Sequence, residues 1–144
     1  MVTDREAYRR SCGVPIHTPR RIAKARKKRA HAMTVADVRA YVFARERDLC
    51  RCCRKRRADS MHEIIFRSQQ GKISKTNSIA VCGDGVRGCH GFLQRHEIDV
   101  FRGPRGAEET LTFSSQTPHA SDWLGLKDDE SIESSPMVNL EMAE

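Results

Sequence analysis

Aromatic side chains and long apolar runs are both scarce in this sequence. Only 6% of the 144 residues are aromatic, with a single Trp, and 38% are hydrophobic. Because no stretch is apolar for long enough to cross a bilayer, we expect no membrane partner. So few large apolar side chains can form only a modest core, and small cores usually need a staple such as a disulfide or a metal ion.

A secretory leader is not evident either, because residues 1–6 are polar and no apolar run follows them. We therefore expect a cytoplasmic, reducing setting. There, the six cysteines are better suited to metal binding than to disulfides.

Acidic side chains are rare in the first part of the chain and common in the last. Residues 1–57 carry 18 Lys or Arg against 5 Asp or Glu, and residues 107–144 carry 1 against 9. Net charge therefore falls from +13 through +2, for residues 58–106, to −8. The basic part indicates a polyanionic partner, most simply nucleic acid. The acidic part is expected either to shield that surface or to contact another protein.

These shifts in composition predict three segments: a basic flexible arm over 1–33, a folded domain over 34–102, and an acidic, partly disordered tail over 103–144. Within the arm, Lys27, Lys28 and Arg29 close a basic run that we predict to contact nucleic-acid phosphates. The alternative is a solvated charge cluster that only aids solubility.

The clearest helical pattern runs from Thr34 to Arg47. Thr34 is suited to cap the helix, and Asp37 stands three residues on, as in a capping box. The apolar positions fall near one face and the charged ones on the other, namely Val35, Val38, Val42 and Leu49 against Arg39, Arg45, Glu46 and Arg47.

Beyond this helix the pattern predicts a strand, a loop, a strand, a turn and a short helix. The ranges are 61–66, 67–77, 78–82, 83–88 and 89–98. Further on, Leu111–Phe113 is predicted as a brief edge strand, and residues 118–126 are expected to dock through Trp123 and Leu124. Residues 127–144 are expected to be loose.

Two cysteine pairs bracket the central segment. Cys50 and Cys53 are separated by two residues, a spacing that grips one zinc ion from a tight turn. Cys82 and Cys89 are more widely spaced, and the glycines at 83, 85 and 88 make that wider loop feasible. Together the pairs predict one tetrahedral structural zinc site. Cys52 is an alternative ligand, although adjacent cysteines chelate one ion poorly.

Between the pairs lie His62 and Asn77, and His90 directly follows Cys89. Each has an ordinary alternative, because a single His can sit on a strand surface and Asn favours loops. Here, however, the predicted zinc site ties together the two segments that carry the histidines. The three residues therefore suggest a second, open metal site.

With these residues the sequence resembles the HNH endonucleases, and most of all the small HNH proteins of tailed bacteriophages. The resemblance covers residues 34–98 and implies an α+β fold, a ββα-metal core stapled by a four-cysteine zinc knuckle. Its matching positions are Cys50, Cys53, His62, Glu63, Ile64, Arg67, Ser68, Gly71, Asn77, Cys82, Gly88, Cys89, His90 and Gly91.

The resemblance assigns a role to each central residue. His62 takes the place of a metal ligand and His90 that of the final metal ligand. Glu63 takes the place of the general base, where the family usually has His, and a carboxylate can accept a proton from water. The alternative is that Glu63 ligates the metal and a neighbouring His activates the water. Asn77 either orients the loop or binds the metal.

The implied activity is metal-dependent hydrolysis of DNA phosphodiester bonds with low sequence specificity and strong salt dependence. The catalytic ion would be Mg²⁺ or Mn²⁺, with Ni²⁺ as a further candidate. His96 is a candidate phosphate contact, and the backbone would be held by the arm together with Arg54, Lys55, Arg56, Arg57 and Arg67.

Two further expectations concern partners. The resemblance implies a phage terminase subunit as a second partner, DNA packaging at cohesive ends, and a location in the cytoplasm of the host bacterium. The competing interpretation is a non-catalytic zinc-ribbon protein that binds nucleic acid. It explains the four cysteines and the basic arm but leaves His62, Asn77 and His90 without a role.

Overall fold

The computed structural model describes residues 33–127 and 130–138. These residues form an α+β unit with three α-helices and two antiparallel sheets. In chain order the elements are α1 (Val35–Arg45), β1 (Ser60–Glu63), β2 (Ser78–Val81), α2 (Gly88–Gln94), β3 (Ile98–Phe101), β4 (Leu111–Ser115), α3 (Pro118–Leu124) and β5 (Ser131–Ser134). None of the helices described is both long and apolar enough to cross a membrane.

Helix α1 begins with the predicted capping box. The Thr34 Oγ1 accepts from the Asp37 amide at 3.1 Å, and the Asp37 carboxylate accepts from the Thr34 amide at 2.9 Å. Val38 and Val42 are buried as expected, whereas Val35 is 58% exposed. The helix ends at Arg45, two residues earlier than predicted.

The predicted order of strand, loop, strand, turn and helix is confirmed at the centre of the chain. Strands β1 and β2 pair antiparallel, with His62 opposite Ile79. The first strand ends at Glu63 rather than at residue 66, because the Ile64 amide donates to the backbone of Asn77 and the chain then turns into a 3₁₀-helix at Arg67–Gln69. Helix α2 also ends early, at Gln94.

A second sheet has the order β3-β4-β5 and was largely missed by the sequence patterns. Strand β4 was predicted as an edge strand and is instead central, with Leu111 and Phe113 fully buried. Strand β5 lies in the stretch predicted to be loose, where Ile132 pairs with Phe113 and packs on the core. The prediction was wrong there because alternating apolar residues on β4 give even an acidic segment a surface to pair with.

Helix α3 docks as predicted. Leu124 is buried in the main core and Trp123 is half-buried against it. Thr117 caps the helix by accepting from the Ala120 amide at 3.2 Å. Leu111, Phe113 and Leu124 belong to the same core cluster as Phe92 of α2, so part of the predicted acidic tail packs with the same core as α2.

Three charged residues are fully buried, and two of them belong to the predicted charged face of α1. Arg45, Glu46 and Arg51 each have 0% exposure, and Glu46 Oε1 accepts from both arginines. The guanidinium groups also donate to backbone carbonyls, including those of Ser78 and Ser134. The predicted charged face of α1 is therefore wrong at Arg45 and at Glu46. Backbone oxygens and a carboxylate replace the water around Arg45, and two guanidinium groups replace the water around Glu46.

Residues 1–32 lie outside the described part of the chain. The predicted basic arm, with Lys27, Lys28 and Arg29, stays a prediction.

Candidate metal centre and active site

Four buried cysteines meet at one point. The sulfur atoms of Cys50, Cys53, Cys82 and Cys89 all lie within 4.8 Å of one another. Across residues 33–127 and 130–138, no other group of three or more His, Cys, Asp or Glu side chains is close enough to share an ion. Four thiolates are a donor set typical of structural zinc sites, so the cluster can hold a metal ion. Cys52, the alternative ligand, is buried but outside this group.

Backbone geometry brings the two pairs together. The Arg51 amide donates to the Ala80 carbonyl at 2.8 Å, which attaches the first turn to β2. Gly83 and Gly88 have φ of +87° and +68°, a region that L side chains rarely adopt. Two of the three predicted glycines are thus required, whereas a side chain at Gly85 would meet open space.

The protonation of the cluster suits metal loading. The Cys50 thiol, followed by those of Cys82 and Cys89, donates to Cys53 and lowers its pKa. The pKa of Cys50 is raised by its hydrogen bond to Cys53, and that of Cys89 by its hydrogen bond to Cys50. An ion would replace those thiol protons.

Trp123 contacts the cysteine cluster through a hydrogen bond that no sequence pattern indicates. Its indole Nε1–H donates to the Cys89 sulfur at 3.2 Å, and its ring packs on Phe92 with centroids 5.6 Å apart. Such a donor stabilises negative charge on the sulfur. The sequence prediction gave Trp123 a docking role only.

His62 and His90 lie edge to face in the wall of one cavity. Their ring centroids are 5.3 Å apart at an interplanar angle of 75°. His62 is buried on β1 and His90 is half-buried on α2. The rings line a cavity of about 480 Å³ together with Glu63, Arg67 and His96. The structure therefore brings together four of the residues assigned by the resemblance, with His96 beside them.

Ser60 fixes the orientation of His90. The Ser60 hydroxyl lies 2.7 Å from the Gly83 carbonyl oxygen and 2.7 Å from His90 Nδ1. Its single proton goes to the carbonyl, which can only accept, so its oxygen accepts from His90 Nδ1–H. This tautomer leaves the lone pair on Nε2, the nitrogen that remains for a metal ion. Sequence reasoning missed Ser60, although its position two residues before His62 places both on one face of β1.

Both imidazoles are held in the neutral form. Burial, then the neighbouring His90 and His96, lower the pKa of His62 from 6.5 to about 4. Burial also lowers the pKa of His90, against the opposing charge of Asp84. Neutral imidazole is the form that ligates metals, so both side chains are ready to bind near neutral pH.

Glu63 has one oxygen engaged and one free. Oε1 accepts from Arg67 Nε at 3.1 Å, an ion pair whose arginine is exposed. Oε2 is buried and has no hydrogen-bond partner within the described structure. An unpartnered buried carboxylate oxygen is costly, and this one is chemically available, either to take a proton or to ligate an ion.

Asn77 does not line the cavity. Its Oδ1 accepts from the Ile65 amide at 2.8 Å, and its Nδ2 donates to the Ile65 and Lys72 carbonyls at 3.0 Å. All of these contacts hold the loop between β1 and β2. Of its two predicted roles, the geometry fits loop orientation and leaves no amide atom directed at an ion.

The predicted DNA-contacting residues differ in exposure. Arg54 is half-buried and donates to Ser134 Oγ at 2.7 Å, so part of its guanidinium group is engaged within the fold. Lys55 is exposed and donates to the Leu124 carbonyl at 3.3 Å. Arg56 and Arg57 are exposed beside the zinc-type cluster, and Arg67 is exposed at the cavity.

Comparisons with family models, with curated proteins and with solved structures found no match for this chain. Its function must therefore be inferred from the side chains of these two sites.

Proposed function

We propose that this chain is an HNH-type, metal-dependent endonuclease that hydrolyses DNA phosphodiester bonds, and that its cysteine cluster holds a structural zinc ion. One observation carries the proposal: two neutral imidazoles, His62 and His90, lie edge to face 5.3 Å apart and line the same open cavity, on elements that the cluster ties together. A purely structural metal knuckle has no need of a second pair of ligands next to it.

The cavity fits a catalytic divalent ion. Two imidazoles leave the remaining coordination positions to water and to phosphate oxygens, as open catalytic sites require. A bound ion would polarise the scissile phosphate and stabilise the leaving oxygen. Because imidazole nitrogen suits transition metals better than Mg²⁺, we expect Mn²⁺ or Ni²⁺ to support cleavage better than Mg²⁺.

The chain's own side chains supply the rest. Oε2 of Glu63 is free to accept a proton from the attacking water. Arg67, at the rim, is placed to bind a phosphate oxygen. His96 lines the same cavity and extends its polar wall. Contacts from arginine to phosphate oxygens carry no direct sequence information, which favours low sequence specificity.

Plasmid nicking tests the proposal. Wild-type protein, His62→Ala and His90→Ala are incubated with supercoiled DNA and Mg²⁺, Mn²⁺ or Ni²⁺. His119→Ala is the matched control, because His119 is exposed and packs on Phe92 outside the cavity. We expect nicking by the wild type and by His119→Ala, and loss of nicking in the two cavity variants.

The alternative is a non-catalytic zinc-ribbon nucleic-acid binder. The observation that favours it is that the cysteines are the only cluster of three or more such ligands in the described chain. Equal DNA binding by wild type and His90→Ala, with cleavage by neither, would establish this alternative. Association with a phage terminase subunit stays a prediction from the resemblance.

A further inference from the structure

We infer that a groove beside the cysteine cluster, lined by Arg56, Arg57, Arg87 and Trp123, holds the DNA backbone next to the scissile phosphate. The catalytic part of this inference rests on the proposed nuclease function. The groove itself is a separate surface from the histidine cavity, with a volume of about 390 Å³. Neither Arg87 nor Trp123 was expected to contact nucleic acid.

The groove is preorganised by stacking. The Arg56 guanidinium lies 3.8 Å from the centroid of the Trp123 ring. Trp123 is itself fixed by its indole N–H, which donates to the Cys89 sulfur. A guanidinium that lies on a ring keeps its N–H donors in the plane, free for phosphate oxygens. Less conformational entropy is then lost when a phosphate binds.

The charge of the groove fits a polyanion. Arg56, Arg57 and Arg87 are all exposed, so their charges face solvent. The single carboxylate in the lining belongs to Asp59, and one of its oxygens accepts from the Gly83 amide at 3.1 Å. Three guanidinium groups thus outweigh one partly engaged carboxylate. Planar donors of this kind match phosphate geometry.

Two elements lead from the groove to the histidine cavity. Along the chain into β1, Asp59 lines the groove and Met61 lines the cavity. Along α2, Gly88 lines the groove and His90 lines the cavity. Two residues of strand span about 7 Å, a step comparable with the distance between neighbouring phosphates of one strand. When one phosphate of a DNA strand lies at the two imidazoles, the next phosphates of that DNA strand are therefore within reach of the groove.

The occupant is the sugar–phosphate backbone, and the contact is independent of base sequence. The test measures DNA binding without cleavage, in protein that carries His90→Ala. Binding of a labelled duplex oligonucleotide of mixed sequence is followed by fluorescence anisotropy over a range of salt concentrations. Adding Arg56→Gln or Arg87→Gln should weaken binding severalfold and reduce the salt slope by about 1 each.

Arg47→Gln is the matched control, because Arg47 is exposed and lines neither the histidine cavity nor the groove. It should leave the salt slope unchanged. If Arg56→Gln and Arg87→Gln bind with the slope of the control, the groove is not a DNA site and the inference fails. Because cleavage is not measured, this failure is separate from failure of the nuclease proposal.

Two substitutions distinguish the role of Trp123 in DNA binding from its role in stabilising the fold. Trp123→Phe keeps a ring under Arg56 but loses the donor to Cys89, whereas Trp123→Ala loses both. We expect Trp123→Phe to bind DNA with nearly wild-type affinity and Trp123→Ala to bind severalfold more weakly. Zinc content and melting temperature are measured on both. Equal DNA affinity in two variants that retain zinc would overturn the stacking role.

Discussion

Ser60 shows how one hydroxyl can determine what a neighbouring histidine is able to bind. Ser60→Ala removes the acceptor that holds His90 Nδ1–H and frees the ring to change tautomer. Loss of such a second partner typically costs about 10–100-fold in activity or metal affinity, so nicking should fall by that factor. Stability should change by only about 1 kcal/mol.

Ser60→Thr is the control for this prediction, because it keeps the hydroxyl on a strand that accepts β-branched residues. Nitrogen chemical shifts of the His90 ring report the tautomer directly. Normal nicking by Ser60→Ala, with a ring that still carries its proton on Nδ1, would contradict the assigned role.

The Asn77 side chain holds the loop between β1 and β2 through three hydrogen bonds. Asn77→Ala removes three hydrogen bonds, two of them to the half-buried backbone of Ile65. We expect a loss of about 2–3 kcal/mol in the free energy of unfolding, measured by urea denaturation. Asn77→Asp keeps the acceptor but places an anionic oxygen against the Ile65 and Lys72 carbonyl oxygens, so it should be destabilised as well. A fully stable Asn77→Ala would refute this role.

Buried His62 makes stability depend on pH in a definite direction. Its pKa is about 4 in the folded chain and 6.5 when unfolded, so between these values only the unfolded chain is protonated at His62. Stability therefore falls as pH drops from 6.5 towards 4, by roughly 3 kcal/mol in total. Urea denaturation at several pH values measures this, without added catalytic ion.

His62→Gln is compared at the same pH values. The cysteine cluster titrates in both proteins, so the difference between their pH profiles isolates His62. We expect a shallower profile for His62→Gln. Parallel profiles would show that His62 is not responsible.

At the scale of elements, the sequence patterns predicted those features that depend on residues close together in the chain. The capping box of α1 needs only Thr34 and Asp37, and it was predicted and confirmed. The hairpin and α2 were also predicted in the right order, because the cysteine pairs and glycines limit the possible turns. Their ends were wrong by several residues, since contacts from Asn77 terminate the first strand.

The second sheet depends on pairing between distant segments, which no local pattern shows. Strand β5 is exposed along half its length and has few apolar residues, so its sequence does not differ from that of a loop. Arg45 did carry a signal. It follows Val38 and Val42 at the spacing of one helix face, and a charged residue at that position indicates a buried ion pair.

The turn between Cys82 and Cys89 offers a clean test at this scale. Gly83 has φ +87°, and a Cβ there would lie 2.0 Å from the Arg87 carbonyl oxygen. Gly83→Ala should therefore cost more than about 1 kcal/mol and weaken zinc retention against a chelator. Gly85→Ala is the control, because nothing lies within 4 Å of its added methyl. Equal zinc retention in the two variants would rule out this requirement.

At the scale of the whole molecule, a buried charge cluster joins distant parts of the chain. Glu46 accepts from Arg45 and Arg51, and these arginines contact both sheets through backbone oxygens. Burial lowers the pKa of Arg51 to about 10, although Glu46 opposes this shift. Removing one partner of a buried pair typically costs about 3–5 kcal/mol.

Glu46→Gln should therefore lower the free energy of unfolding by about that amount, which is a large share of the stability of a small domain. Glu97→Gln is the control, because its pair with Arg95 is partly exposed and such pairs contribute about 1 kcal/mol or less. Thermal unfolding measures both. Similar melting temperatures for the two variants would contradict a structural role for the buried cluster.

Ser134 supplies late contacts to the turn between Cys50 and Cys53. Its hydroxyl donates to the Arg51 carbonyl at 2.7 Å, and its own carbonyl accepts from the Arg51 guanidinium. A ribosome delivers residue 51 long before residue 134, at about 5–20 residues per second. During synthesis, the early turn must wait several seconds for its last neighbour. A transcript that stops short of β5 would therefore yield a polypeptide in which Arg51 lacks the hydrogen bonds that Ser134 supplies.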